Sequence, residues 1–123
     1  MDVVERWTAA WNARDIDALA ALAHPDIEVQ TPRAPASGIE ALRALLAKQT
    51  YGVRLFIPPQ DLRVRGDRVL ATGPVELRWV EDDRVAERME DAAACFELRA
   101  GRIARFTAYP DAATAERAEG FAP

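Results

Sequence analysis

The stretch Val85-Ala-Glu-Arg-Met-Glu-Asp-Ala-Ala-Ala-Cys-Phe-Glu-Leu-Arg99 alternates with the period of a β-strand. Counted by twos, one side carries Glu87, Asp91, Glu97 and Arg99, and the other carries Arg88, Glu90, Ala92, Ala94, Phe96 and Leu98. The first side reads as solvated and the second as packed on a core. Arg88 and Glu90 then fall at one end of an apolar surface, where charge is costly unless it is paired or used. A bulge within the strand would exchange the two sides and return both charges to solvent.

Three further strand-like runs surround this one: Arg54 to Val64, bent at Pro58-Pro59, then Arg68 to Val80, and Arg102 to Tyr109. Gly66-Asp67, Glu81-Asp82-Asp83 and Ala100-Gly101 separate the runs as hairpin turns, which predicts an antiparallel meander. Pro74 predicts a bulge or an edge in the second run. Ahead of the meander, Val3, Val4, Trp7, Ala10 and Trp11 fall at helical spacing, and Asp15 is an N-cap for a second helix, Ile16 to Ala23. His24-Pro-Asp26 ends that helix, and Ile27 to Thr31 reads as a short strand. Ser37-Gly-Ile-Glu40 fits a capping box opening a third helix through Lys48, with Ile39, Leu42, Leu45 and Leu46 inward. A last helix starts after Asp111 and fades before Gly120. The order α-α-β-α-β-β-β-β-α predicts an α+β fold, one curved sheet covering a group of helices in a single domain over residues 1–123.

Composition narrows the function classes. A chain of 123 residues, half of them hydrophobic, is large enough for one core and a pocket. The net charge of −4 and arginines scattered among acids argue against a nucleic-acid partner. No segment approaches a membrane span and the start lacks a leader pattern, so a cytoplasmic protein with no membrane partner is expected. Cys95 and His24 are the only residues of their kinds, which leaves no intramolecular disulfide and no thiolate metal site. No glycine-rich phosphate loop occurs, and neither a cofactor nor a metal is expected.

Four segments in order, Trp11-Asn-Ala-Arg-Asp-Ile-Asp-Ala-Leu-Ala-Ala-Leu22, His24-Pro-Asp26, Gly38-Ile-Glu-Ala-Leu42, and Phe96-Glu-Leu-Arg-Ala-Gly-Arg-Ile103 leading to Tyr109 and Asp111, make the chain resemble the SnoaL-like branch of the nuclear transport factor 2-like superfamily. The resemblance implies a cone-shaped α+β roll whose open end admits a small apolar molecule, and commonly a homodimer through the outer sheet face. It does not imply one reaction, because the fold serves isomerases, cyclases, hydrolases and binders. The ketosteroid isomerase triad would fall at Trp7, Ala94 and Thr31, none of which can perform its role. Limonene epoxide hydrolase is similar around Ala86-Glu-Arg-Met-Glu90. That likeness gives Arg88 and Glu90 the roles of the paired arginine and acid and gives Gln30 the role of orienting water, while Ala108 and Glu28 stand where that enzyme has an aspartate and a tyrosine.

The leading expectation is therefore a cofactor-free hydrolase, isomerase or cyclase. In it Glu90 is acid or base, Arg88 holds it, Gln30 orients water or substrate, and Trp7, Trp11, Phe56 and Tyr109 shape the pocket. The alternative is a non-catalytic dimeric module that binds a small apolar ligand. His24 reads as a helix-end residue and Cys95 as an inert packed thiol, with no cation beside it in sequence to activate it.

Overall fold

The computed structural model describes residues 2–31, 35–47 and 51–123. The apolar stripe of the first segment forms α1 (Val3–Asn12), and Asp2 caps it. Asp2 Oδ1 accepts the Glu5 N–H at 2.9 Å while the Glu5 carboxylate accepts the Asp2 N–H, a reciprocal capping box. A two-residue turn leads to Asp15, whose carboxylate accepts the Ala18 N–H at 3.1 Å and starts α2 (Ile16–Leu22). Extended backbone then begins earlier than the sequence pattern predicts, because β1 (Ala23–Gln30) runs straight through His24-Pro25.

A short strand without a sequence signal, β2 (Pro35–Ser37), lies antiparallel to β1. It takes Ser37 away from the predicted capping box, so α3 (Ile39–Ala47) opens after Gly38, whose carbonyl accepts the Ala41 and Leu42 N–H groups. The predicted helix end at Lys48 lies outside the described residues. Pro58-Pro59 divides the next run into β3 (Val53–Phe56) and β4 (Asp61–Arg65), and both strands pair with the following long strand β5 (Arg68–Trp79). Next come β6 (Val85–Arg99) and β7 (Arg102–Tyr109), then α4 (Ala112–Glu119), capped by Asp111 and closed by Gly120 in the left-handed region.

The sheet order is β2-β1-β7-β6-β5-β3, with β4 on the same side of β5 as β3. The expectation of a wholly antiparallel sheet needs one correction. β1 runs parallel to β7, because the chain returns to β1's edge only after the whole meander is built. The sheet curls around α1, α2 and α3. Val4, Trp7, Leu19, Ile27, Leu42, Phe96 and Ile103 fill the space between the helices and the curled half-barrel of the sheet.

Two register shifts in β6 set which side chains face the helices. Gly73 pairs with Ala92 but Val75 with Met89, so the register does break at Pro74, but the extra residue is in the partner strand β6 and not in β5, where the proline predicts it; another shift lies at Leu77 and Arg78. Beyond the first shift Ala94, Phe96 and Leu98 point inward. Before it, Glu87 and Met89 stand opposite the inward Leu77 and Val75, while Arg88 stands opposite Glu76 on the outside. The outer side of Ala93 and Cys95, expected to be wet, is instead roofed by α4 through Ala115, with Leu70 and Tyr109 beside it.

Candidate functional site

The inward side of β3 and β7 and the buried face of α1 enclose a cavity of about 400 Å³. Trp7, Trp11, Leu45, Val53, Leu55, Ile57, Leu77, Phe106 and Ala108 supply an apolar lining, and Arg14, Thr31 and Tyr51 supply its polar groups. Trp7 and Trp11 are one turn apart on α1 and both line the cavity. Trp7 is 0% exposed, stacks on Phe106 with ring centres 6.0 Å apart and meets Phe96 edge-on at 5.9 Å. Its Nε1 is buried with no hydrogen-bond partner among the described residues. Tyr51, 94% exposed, stands at the open end.

The end of α1 is fastened to β3 by polar side chains that the sequence pattern does not single out. Trp11 Nε1 donates to the Leu55 carbonyl at 3.2 Å, and Asn12 exchanges two hydrogen bonds with the backbone of Ile57. Arg14, in the turn after α1, donates through Nη1 to the Leu46 carbonyl at 3.0 Å and through Nη2 to the Leu55 carbonyl at 3.3 Å. Burial, then the nearby charge of Arg54, lowers its pKa from the ordinary arginine value. Arg14 lines the apolar cavity and also an adjoining open cleft with Arg43 and Arg54.

The other five expected site residues lie away from this cavity, and strand parity is the reason. Arg88 and Glu90 do form an ion pair, Nε to Oε1 at 2.7 Å, but the shift in β6 turns both outward, where Glu90 is 72% exposed. Arg88 also reaches Glu76 at 3.2 Å, and Glu76 is held by Arg78 at 2.8 Å. Phe56 pairs across from Glu76 on the same outer side, with the Arg78 guanidinium 3.4 Å from its ring centre. Leu55 and Ile57 take the inward positions instead. Gln30 faces outward from β1 and accepts the Thr107 hydroxyl at 3.1 Å; its neighbour Thr31 faces the cavity. Tyr109 also faces outward, with Ala108 in the cavity beside it, and donates its hydroxyl to Glu119. Glu87, which parity by twos assigns to solvent, is exposed and outside the cavity lining, although the register sets it across from the cavity residue Leu77.

Beneath α4 lies a polar cluster. Glu119, with its side chain 5% exposed, accepts both terminal nitrogens of Arg105 at 2.9 and 2.8 Å and the Tyr109 hydroxyl. Arg105 also donates to Glu97 and Thr107. The Arg105 bond, working against burial, brings the Glu119 pKa down to about 2. Burial and the hydrogen bond to Glu119 push Tyr109 up to about 12, and burial with the negative Glu119 pushes Cys95 up to about 12. The thiol is thus inert, as the sequence suggests. His24 serves its own turn, with Nδ1 accepting the Asp26 N–H at 3.1 Å. Among the described residues no group of His, Cys, Asp or Glu is arranged to hold a metal, and no helix is long and apolar enough to cross a membrane.

The SnoaL-like domain matches residues 4–106 of this chain. The chain belongs to the SnoaL-like domain family. It is similar to a solved nuclear transport factor 2-like protein from Burkholderia xenovorans, with 28% identity over 94% of this chain and 92% of the other and a TM-score of 0.71. It is similar to a candidate polyketide cyclase from Pseudomonas putida, with 25% identity over 99% of both chains and a TM-score of 0.72. TerC, co-crystallised with polyporic acid, shares the fold at 18% identity over 94% of this chain and 93% of its own, with a TM-score of 0.73. No curated protein matches the sequence. Within this SnoaL-like domain the cavity, not the Arg88–Glu90 pair, is the candidate site.

Proposed function

We propose that this SnoaL-like domain binds a small, largely apolar molecule in the cavity between α1 and the inner side of the sheet. The observation that carries the reading is the lining itself, built from Trp7, Trp11, Leu55, Leu77, Phe106 and Ala108, with no Asp, Glu, His, Cys or Lys among the residues described there. Such a wall gives affinity by burying apolar surface and offers no carboxylate or imidazole to move a proton. TerC, obtained with polyporic acid, supports occupancy of this kind of fold by a small molecule.

The test is a titration with the neutral fluorophore N-phenyl-1-naphthylamine, read by its emission and by quenching of tryptophan. Saturable binding is expected, and Ala108→Trp, which fills the cavity, should abolish it. If wild type does not bind the probe, or if the filled variant binds it equally well, the reading fails.

Acid-base chemistry on the bound molecule is a second reading, and one observation favours it. In the register Glu87, on the exposed part of β6, is the partner of the cavity residue Leu77. The likeness to the P. putida candidate cyclase points the same way. Under this reading Glu87→Gln abolishes turnover of a cyclisable substrate and leaves its binding intact. Glu90→Gln changes neither. For the homodimer implied by the family resemblance, the outer patch of Phe56, Glu76, Arg78 and Arg88 is the part of the sheet's outer face proposed as the contact, since α4 roofs the β6–β7 part.

A further inference from the structure

Arg14 combines four properties that a purely structural residue does not need together. It sits at φ 57, in the left-handed region, where a residue other than glycine or asparagine is strained. From there its side chain turns in to the point where the apolar cavity meets the cleft lined by Arg43 and Arg54. It is half-buried, yet no carboxylate lies within ion-pair distance among the described residues, and the seven residues outside that description contain no Asp or Glu. The two neighbouring arginines differ in this respect, since Arg54 meets Asp83 at 2.7 Å and Arg43 meets Glu40 at 3.6 Å.

The guanidinium is anchored without being neutralised. Of its five N–H donors, two are used on the Leu46 and Leu55 carbonyls. Those two bonds fix the plane of the fork against the Trp11 ring, whose centre is 6.0 Å away, and leave the remaining donors and the full positive charge uncompensated by any acid. A second cation, Arg54, is close enough to act on it electrostatically. A partly dehydrated cation that is fixed in place, beside a like charge and next to an apolar chamber, is complementary to one ligand chemistry. That ligand has an anionic group at one end and an apolar body behind it.

We propose that the ligand of the cavity is an apolar acid, a ring-containing molecule carrying a carboxylate or equivalent anion, whose charged group bonds Arg14 at the mouth of the arginine cleft while its body lies along Trp11, Leu55, Leu77 and Phe106. This rests on the cavity-binding reading above and adds the charge of the ligand to it. The carbonyl contacts orient Arg14, as preorganisation requires, and the left-handed turn is what aims it.

A pair of probes separates the two claims. N-phenyl-1-naphthylamine and 1-anilinonaphthalene-8-sulfonate share one skeleton, and only the second is anionic. Wild type is expected to bind the sulfonate about tenfold more tightly than the neutral amine at low salt, and the preference should shrink as salt is raised. Arg14→Gln should erase that preference, bringing the ratio of the two affinities to about one whatever its effect on the neutral probe, and Arg14→Lys should keep part of it. Ala108→Trp should abolish binding of both. Near-UV circular dichroism of the tryptophans checks that each variant is folded. The wild-type comparison needs no variant, so it still decides between the two outcomes if Arg14→Gln misfolds. Equal wild-type affinities, or an equal loss of both probes in Arg14→Gln, would make Arg14 a structural tie and overturn the proposal while leaving the cavity reading intact. Sulfonate binding that survives Ala108→Trp would overturn it as well. Failure of the neutral probe to bind wild type would instead remove the cavity reading and this inference with it.

Discussion

Asn12 acts as a substitute strand for Ile57. Its Nδ2 donates to the Ile57 carbonyl at 2.7 Å and its Oδ1 accepts the Ile57 N–H at 2.9 Å. β3 ends at Phe56 and Pro58 follows, so no further strand takes up these backbone groups, and a side chain from the last turn of α1 does. Trp11 and Arg14 bond the neighbouring Leu55 carbonyl. One wall of the cavity is therefore held in place by the helix it faces.

Asn12→Ala should lower stability by about 2 kcal/mol, because both Ile57 backbone groups lose their partners in a part-buried position. Urea unfolding at neutral pH measures it. Asn12→Asp keeps the acceptor, loses the donor and sets a carboxylate against the Ile57 carbonyl, so it should be no better than Ala. An unchanged midpoint in both variants would mean that water replaces the side chain at no cost.

The outer ion-pair patch makes a contrasting prediction. Glu76 is buried and accepts bonds from Arg78 at 2.9 and 2.8 Å and from Arg88 at 3.2 Å, whereas Glu90 is an exposed end of the same network. Glu76→Gln should cost on the order of 1–3 kcal/mol, since it removes the buried carboxylate shared by two arginines and leaves them only the more exposed Asp83 and Glu90. Glu90→Gln should leave the urea midpoint and probe binding unchanged, as expected of a pair open to water. A Glu90→Gln variant that lost binding would return the Arg88–Glu90 pair to the site.

These two residues also show how far the sequence could be read. Helices and strands declared themselves through periodicity, caps and turns, and Pro74 announced that β5 and β6 fall out of step beside it. What alternation cannot state is which strand takes the extra residue. One residue moved Arg88 and Glu90 to the outer side and set Glu87 across from Leu77 while Phe96 stayed in the core. Strand alternation likewise puts Leu55, Ile57 and Ala108 at the pocket, where Phe56 and Tyr109 are expected. Trp7 and Trp11 were legible because a helix keeps its phase without reference to a partner. Arg14 and Asn12 were not, because their roles depend on β3, more than forty residues away for the Asn12–Ile57 contact.

Acid should weaken the molecule through Glu119. Its carboxyl is held at about 2 against an ordinary 4.5, chiefly by Arg105. A depressed carboxylate contributes stability that is fully present above the unfolded value and lost as pH falls from about 4.5 toward 2. For this side chain, 5% exposed, the contribution is about 3 kcal/mol. Glu119→Gln should therefore be less stable than wild type at pH 7 by about that amount, and the difference should shrink steadily in urea titrations run at lower pH. A difference independent of pH would assign the effect to packing of α4 and not to the charge. Replacing Arg105 and Glu119 together by Met and Leu should recover part of the loss, because the charges that lose a partner, Glu97 and Arg68, are partly open to solvent and not buried.

The alkaline side depends on the same helix. Tyr109 and Cys95 are both pushed up to about 12, from ordinary values of 10 and 9, by burial under α4 and by Glu119. For groups whose neutral form is favoured by folding, the stabilisation is fully present below the ordinary value and is lost as pH climbs through about 12. Stability should thus fall between about pH 9 and 12, and Tyr109→Phe should flatten the part of that fall above pH 10. Because the thiol stays protonated and covered, 5,5′-dithiobis(2-nitrobenzoic acid) at pH 8 should leave Cys95 unmodified in the folded protein and label it fully in urea. Arg105→Met should expose the thiol by loosening α4, and labelling that then rises without loss of the tryptophan near-UV signal would establish that the last helix opens independently of the cone.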